Sequence, residues 1–245
     1  MQTIAEVIAQ LDHIVAHSVA QSSRQAYFAS LYRQMTVAVQ QGIEQHVFED
    51  AARMERLDVL FAQRYIDAWY QYQQHGTVSQ SWQHVFDCAR QPFTVIQHLL
   101  MGINTHINLD LAIAAARTAP GESIWLLQHD FNSINTQIAT LAIEVQRKLE
   151  AICWPMKWLG RISNGHEKAV LNFSIVKARQ AAWANAVALA LMPEAEKQPH
   201  IVQLDATVAG ISKKIARPGM VAGWMLTPIR WFEEKNVQKV AAILA

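Results

Sequence analysis

Along almost the whole chain, apolar residues recur every three or four positions, while alternating apolar and polar runs bounded by turn residues are scarce. This period predicts helices at Thr3–Ala20, Ser23–Gln41, Asp50–His75, Ser79–Arg90, Phe93–Ala116, Asp130–Ile152, Gly165–Met192, Gln203–Ile215 and Thr227–Leu244. The breakers fall between these segments: Gly76, Pro120 with Gly121, Pro193, and Pro218 with Gly219. No internal repeat or low-complexity linker interrupts the pattern. The expected fold is all-α, a single-domain helical bundle of roughly eight or nine helices over residues 1–245.

Composition narrows the function classes. Of 245 residues, 51% are hydrophobic and 17% charged, a balance that favours burial, and the net charge of +1 comes without basic or acidic blocks. An electrostatic footprint for nucleic acid is therefore missing. Cys88 and Cys153 form neither a disulfide framework nor a cysteine metal site, which favours a reducing, cytoplasmic setting. The first 20 residues carry Glu6 and Asp12 and lack a cationic start, unlike a signal peptide. Gln91–Leu109 is nearly long enough to span a bilayer, but its histidines, asparagines and glutamines argue against a transmembrane segment. The apolar last helix could serve as a homo-oligomer face or a lid.

Some polar residues sit where a core helix should be apolar. In the fifth predicted helix, His98, Gly102, His106 and Asp110 follow one another at intervals of four, so they share a face about 120° wide. Gly102 costs about 1 kcal/mol relative to alanine inside a helix, which suggests that space beside His106 is needed for a ligand or a close neighbour helix. Asn104 and Asn108 form a second polar pair on nearly the opposite side. Histidine and carboxylate at this spacing can reach one metal ion or one another.

In the third helix, Asp58 falls within an arc formed by Met54, Phe61, Tyr65 and Tyr72, with Glu55 at its edge. A carboxylate among aromatics must be paired, protonated or coordinated. Its expected partners are Arg179, a tyrosine hydroxyl, or a site shared with His106 and Asp110. Asp130 reads as the N-cap of the sixth helix, with Asn135 at the shoulder of the same face. Arg179 and Trp183 are spaced for a stacked cation–π pair, with Arg179 the counter-ion of a buried acid. Trp154, Met156, Trp158, Met220, Trp224, Met225 and Trp231 cluster in the later half as core, pocket or interfacial surface. No nucleotide-binding, zinc-protease, serine-hydrolase or redox-dithiol motif is present.

The stretches Met54-Glu-Arg-Leu-Asp-Val-Leu-Phe61, Gly102-Ile-Asn-Thr-His-Ile-Asn-Leu-Asp-Leu111, Asp130-Phe131 with Asn135, and Ala178-Arg179 with Ala182-Trp183 resemble a bacterial all-helical family of unknown function. The similarity runs from about Arg24 to Ala190. The resemblance implies a helical fold and places Glu55, Asp58, Asn104, His106, Asn108, Asp110, Asp130 and Arg179 in family motifs, with His98 outside the pattern. It brings no activity with it.

Three readings follow. In the first, Asp58, His98, His106, Asp110 and Asp130 hold a divalent transition metal (iron, manganese or zinc) for oxygenase-like or hydrolase-like chemistry on a small apolar molecule, with Glu55 and Arg179 as catalytic groups. The Glu-x-x-His pairs of di-iron bundles are absent, which counts against that version. In the second, a metal-free protein binds a small molecule or lipid, and Asn104, Asn108, Asn135 and the Asp–His–Arg network orient it. In the third, the network only fixes helix register.

Overall fold

The structure, a computed structural model, describes residues 1–153 and 166–245, without the side chains of 135–143, 166–174 and 220–225. Trp154, Met156 and Trp158, and the side chains of Asn135, Met220, Trp224 and Met225, lie outside the described residues. Among the described residues there are eleven α-helices and no strand. These are α1 (Ile4–Ala20), α2 (Gln25–Glu44), α3 (Ala51–Gln73), α4 (Gln80–Cys88), α5 (Val95–Thr105), α6 (Ala112–Thr118), α7 (Ile124–Ile152), α8 (His166–Leu191), α9 (Glu194–Ala216), α10 (Met220–Phe232) and α11 (Val237–Leu244).

The all-α expectation holds, and the number of helices is larger than eight or nine for local reasons. The sixth predicted helix, α7, begins at Ile124 rather than Asp130, so Asp130 lies inside it and does not cap it. Pro199 does not delay the eighth predicted helix to Gln203. That helix starts at Glu194, and the proline falls in its second turn. The last predicted helix divides into α10 and α11 around the extended residue Glu233, with Asn236 capping the second piece.

One rod organises the rest. Helices α5 and α6 are joined without a break by a π-helical segment, His106–Leu111. From Val95 to Thr118 this rod is apolar and long enough to cross a membrane, but 78% of its apolar window is buried inside the protein. It packs against α2, α3, α4, α7, α8 and α9 along its length. A helix surrounded on all sides needs an apolar surface all round, which accounts for its composition. The apolar face of α11 is likewise turned inward: Val237, Val240, Ala241 and Leu244 pack with Tyr27, Leu31, Val145 and Leu149. In the other half of the last predicted helix, Trp231 and Phe232 are exposed.

Gly102 is explained by the neighbour-helix alternative. A Cβ at this position would lie 2.5 Å from Cδ2 and 2.6 Å from Cγ of Phe28 on α2. The phenylalanine ring rests on the bare backbone and reaches the His106 ring edge-on, centroids 5.7 Å apart.

Helix starts explain several of the inward acids. Local caps are present at Thr3, Asp50, Ser79, Thr94 and Asn236. Four of those helices also receive a carboxylate from elsewhere in the chain. Glu55 accepts from the Ile4 amide at the start of α1. Asp130 accepts from the Glu49 and Asp50 amides at the start of α3 (2.7 and 3.2 Å) and from the Arg53 guanidinium (2.8 Å). Asp205 accepts from the Gln80 and Ser81 amides at α4 (2.7 and 3.0 Å) and from the Ser81 hydroxyl. Glu233 accepts from the Val95 amide at α5. The first amides of a helix lack intrahelical acceptors and carry the positive end of its dipole, so a negative oxygen there satisfies both needs.

Two substitutions test these points by urea unfolding. Gly102→Ala should lower stability by about 1–2 kcal/mol, because overpacking against the base of the Phe28 ring outweighs the gain in helix propensity. An unchanged or raised midpoint would mean that Phe28 does not need the bare backbone. Asp205→Asn should cost about 2 kcal/mol by setting an amide N–H₂ among donors; a loss below about 0.5 kcal/mol would contradict the capping role.

Candidate functional site

His106 and Asp110 come together as their spacing suggested, and further donors complete the group. His106 Nδ1 lies 3.0 Å from Asp110 Oδ2. The same oxygen accepts from Trp82 Nε1 at 2.8 Å, and Oδ1 accepts from Arg64 Nε at 2.8 Å. Asp110 is fully buried. Arg64 and Trp82 are obligate donors, and an arginine-paired carboxylate is an acceptor, so the histidine contact is Nδ1–H donating to Asp110. The other ring nitrogen, Nε2, then carries a lone pair. Burial pushes the imidazole below its ordinary range, against the opposing effect of Asp110, which keeps the ring neutral.

The ring is fixed in orientation as well as tautomer. Phe61 stacks on it with centroids 3.6 Å apart and planes 11° from parallel, and Tyr32 meets it edge-on at 4.3 Å. The segment carrying both His106 and Asp110 is π-helical, a local widening that often marks functional sites.

A cavity of about 140 Å³ lies against this ring. Its wall is almost entirely apolar, with Phe28, Leu31, Met54, Leu99 and Ile103 among the lining residues, and the polar side chains reaching it include Tyr32, Asp58, His106 and Arg179. Three of these carry a buried polar atom with no hydrogen-bond partner among the described residues: Tyr32 Oη, Asp58 Oδ2 and His106 Nε2. The Asp58 carboxyl is pushed up to about 7 by burial and by the neighbouring Glu55 charge. The Tyr32 phenol is pushed well above its ordinary value, chiefly by burial and then by the Asp58 and Asp110 charges, so it stays protonated. Arg179 stands over the Phe131 ring, 4.4 Å from its centroid, and donates to the Phe131 carbonyl. Among the described residues its cation–π partner is Phe131, and Trp183 packs on that same ring at 4.8 Å.

The remaining expected site residues lie elsewhere or do other work. Asn104 donates to the Val208 carbonyl and the Ser212 hydroxyl, tying α5 to α9, and Asn108 donates back to Asn104. His98 packs between Tyr27 and Phe93, away from the cavity, where burial and the Arg24 charge push it down to about 3. Glu55 and Asp130 are helix-start carboxylates, as described above. Asp58, His98, His106 and Asp110 do not converge on a point, and both oxygens of Asp110 are occupied by donors. Among the described residues, the one group of three with metal-ligand atoms close together is Glu49, His129 and Asp130. Glu49 and His129 are exposed, and the Asp130 oxygens already accept two amides and Arg53. Cys88 Sγ lies 3.6 Å from His84 Nε2, but burial raises the thiol and lowers the imidazole, the opposite of an activated pair. Sequence patterns do not single out Arg64, Trp82, Tyr32 or Asp205. The one available signal is that an inward Asp110 must find donors on neighbouring helices.

A family model described as a family of unknown function (DUF5995) matches residues 4–218. No curated protein and no solved structure matches the chain.

The pH dependence of stability should isolate Asp58. Its folded value lies above that of an unfolded chain, so its contribution is full below about pH 4 and is lost as pH rises through about 7. His98 has the opposite sign, its contribution being lost as pH falls from 6.5 toward 3. The difference in unfolding free energy between Asp58→Asn and the parent should therefore shift in favour of the variant between pH 4 and 8, by a few kcal/mol. A pH-independent difference would show that Asp58 is already ionised and matched in the folded protein.

Proposed function

The chain belongs to the DUF5995 family, whose function is unknown, and from that premise we propose that it binds a small apolar molecule in the cavity beside His106, without a metal. The observation that carries this reading is that three residues lining one apolar cavity each carry a buried polar atom with no partner among the described residues: Tyr32 Oη, Asp58 Oδ2 and His106 Nε2. Leaving a polar group buried without a partner costs about 1–3 kcal/mol, so three at one cavity are costly unless a ligand meets them. A concave apolar wall with a few convergent polar groups is the usual form of a small-molecule site. The size favours a ligand near that of one aromatic ring, since an apolar cavity of about 150 Å³ accommodates benzene.

The metal-free version is favoured because, among the described residues, the one group of three close metal-ligand atoms does not include His106. His106 uses Nδ1 on Asp110, and Asp110 is held by Arg64 and Trp82, so this histidine is oriented for hydrogen bonding to whatever enters the cavity.

Thermal unfolding with toluene tests the reading. Toluene at a hundred times its dissociation constant should stabilise the protein by about 2.7 kcal/mol. Ile103→Phe, which fills the cavity from its wall, should remove the effect while the protein remains folded. No stabilisation by toluene or any other monocyclic arene would contradict the proposal.

A further inference from the structure

His106 Nε2 is an acceptor with no donor among the described residues. Arg64 and Trp82 can only donate to Asp110, which leaves Asp110 to accept from Nδ1 and puts the histidine lone pair on Nε2. Phe61 on its face and Tyr32 at its edge prevent the ring from turning away. A molecule that satisfies this atom must present a hydrogen to it.

Charge then decides among donors. An ammonium group would lose its hydration in a nearly apolar wall that also contains the Arg179 guanidinium, at a heavy cost in affinity. A carboxylate would be drawn to Arg179, but it would lose its hydration in the same wall and has no hydrogen to give to the histidine lone pair. A neutral hydroxyl meets neither penalty. Its hydrogen can go to Nε2, and its oxygen can accept from the Tyr32 hydroxyl or from the acid form of Asp58.

We infer that the ligand of this cavity is a neutral apolar alcohol or phenol of about one-ring size, held by donation of its hydroxyl hydrogen to His106 Nε2. The inference rests on the cavity being a ligand site and adds the chemistry of the group that enters it.

Binding of phenol, anisole, toluene and benzoate to the intact protein, measured by titration calorimetry at pH 7, tests it. Anisole keeps the aromatic oxygen and lacks the hydrogen, so it separates donation from polarity. Phenol should bind about tenfold more tightly than anisole, the worth of one net buried hydrogen bond. In His106→Leu the phenol-to-anisole ratio should fall to about one while toluene still binds. Should that variant fail to fold, the four affinities of the parent protein are sufficient. Anisole or toluene binding as tightly as phenol, or benzoate binding more tightly, would overturn the hydroxyl assignment and leave the cavity reading intact. Binding of none of the four would overturn the cavity reading itself.

Discussion

A carboxylate taken out of water must be met by hydrogen-bond donors, and much of this fold is an answer to that requirement. Asp130 and Asp205, together with the partly buried Glu55 and Glu233, each meet the amides at the start of another helix, where donors are available by construction. These contacts join residues that are 51 to 138 positions apart, so they also fix how the helices are arranged. Asp110, in the middle of the rod, collects side-chain donors from Arg64, Trp82 and His106 instead. Against this background Asp58 is the exception. It is buried on a helix that offers it no amide, and one of its oxygens has no partner among the described residues. The place where the general rule is broken is the place where a cavity opens.

The geometry of that place depends on the rod. Gly102 allows Phe28 to lie against bare backbone, and the ring then forms part of the wall around His106. One turn later the helix widens into its π segment, which carries the histidine and the aspartate that orients it. Aromatic rings from α2 and α3 hold the imidazole plane, and a guanidinium and an indole hold the aspartate. Each part of the site is therefore set by an element whose own packing is independently fixed, which is the condition for a preorganised binding group.

The helical class and the contact between His106 and Asp110 were legible in the chain. Periodicity reports one element at a time, and an i,i+4 pair lies within one element. What could not be read were contacts across elements. Asp130 looked like a local cap because aspartate favours that position, but the capped helix is α3, about eighty residues away. Glu55 looked like a spare base, yet it serves the first amide of α1. Asn104 and Asn108 looked like ligand-facing groups, but Asn104 binds α9 and Asn108 donates back to Asn104, because an inward polar stripe on the rod meets another helix before it meets a cavity. Arg179 and Trp183 were placed near each other correctly, but Phe131 stands between their roles, and nothing local to α8 announces it.

The proposed recognition of a hydroxyl group in the cavity depends on the buried network presenting a bare imidazole nitrogen to it. The nitrogen-15 spectrum of the His106 ring, recorded on the ligand-free protein at pH 6.5, reads that nitrogen directly. A neutral imidazole with the proton on Nδ1 and a lone pair on Nε2 is the expected state. A proton on Nε2, in either the other neutral tautomer or the imidazolium, would contradict it.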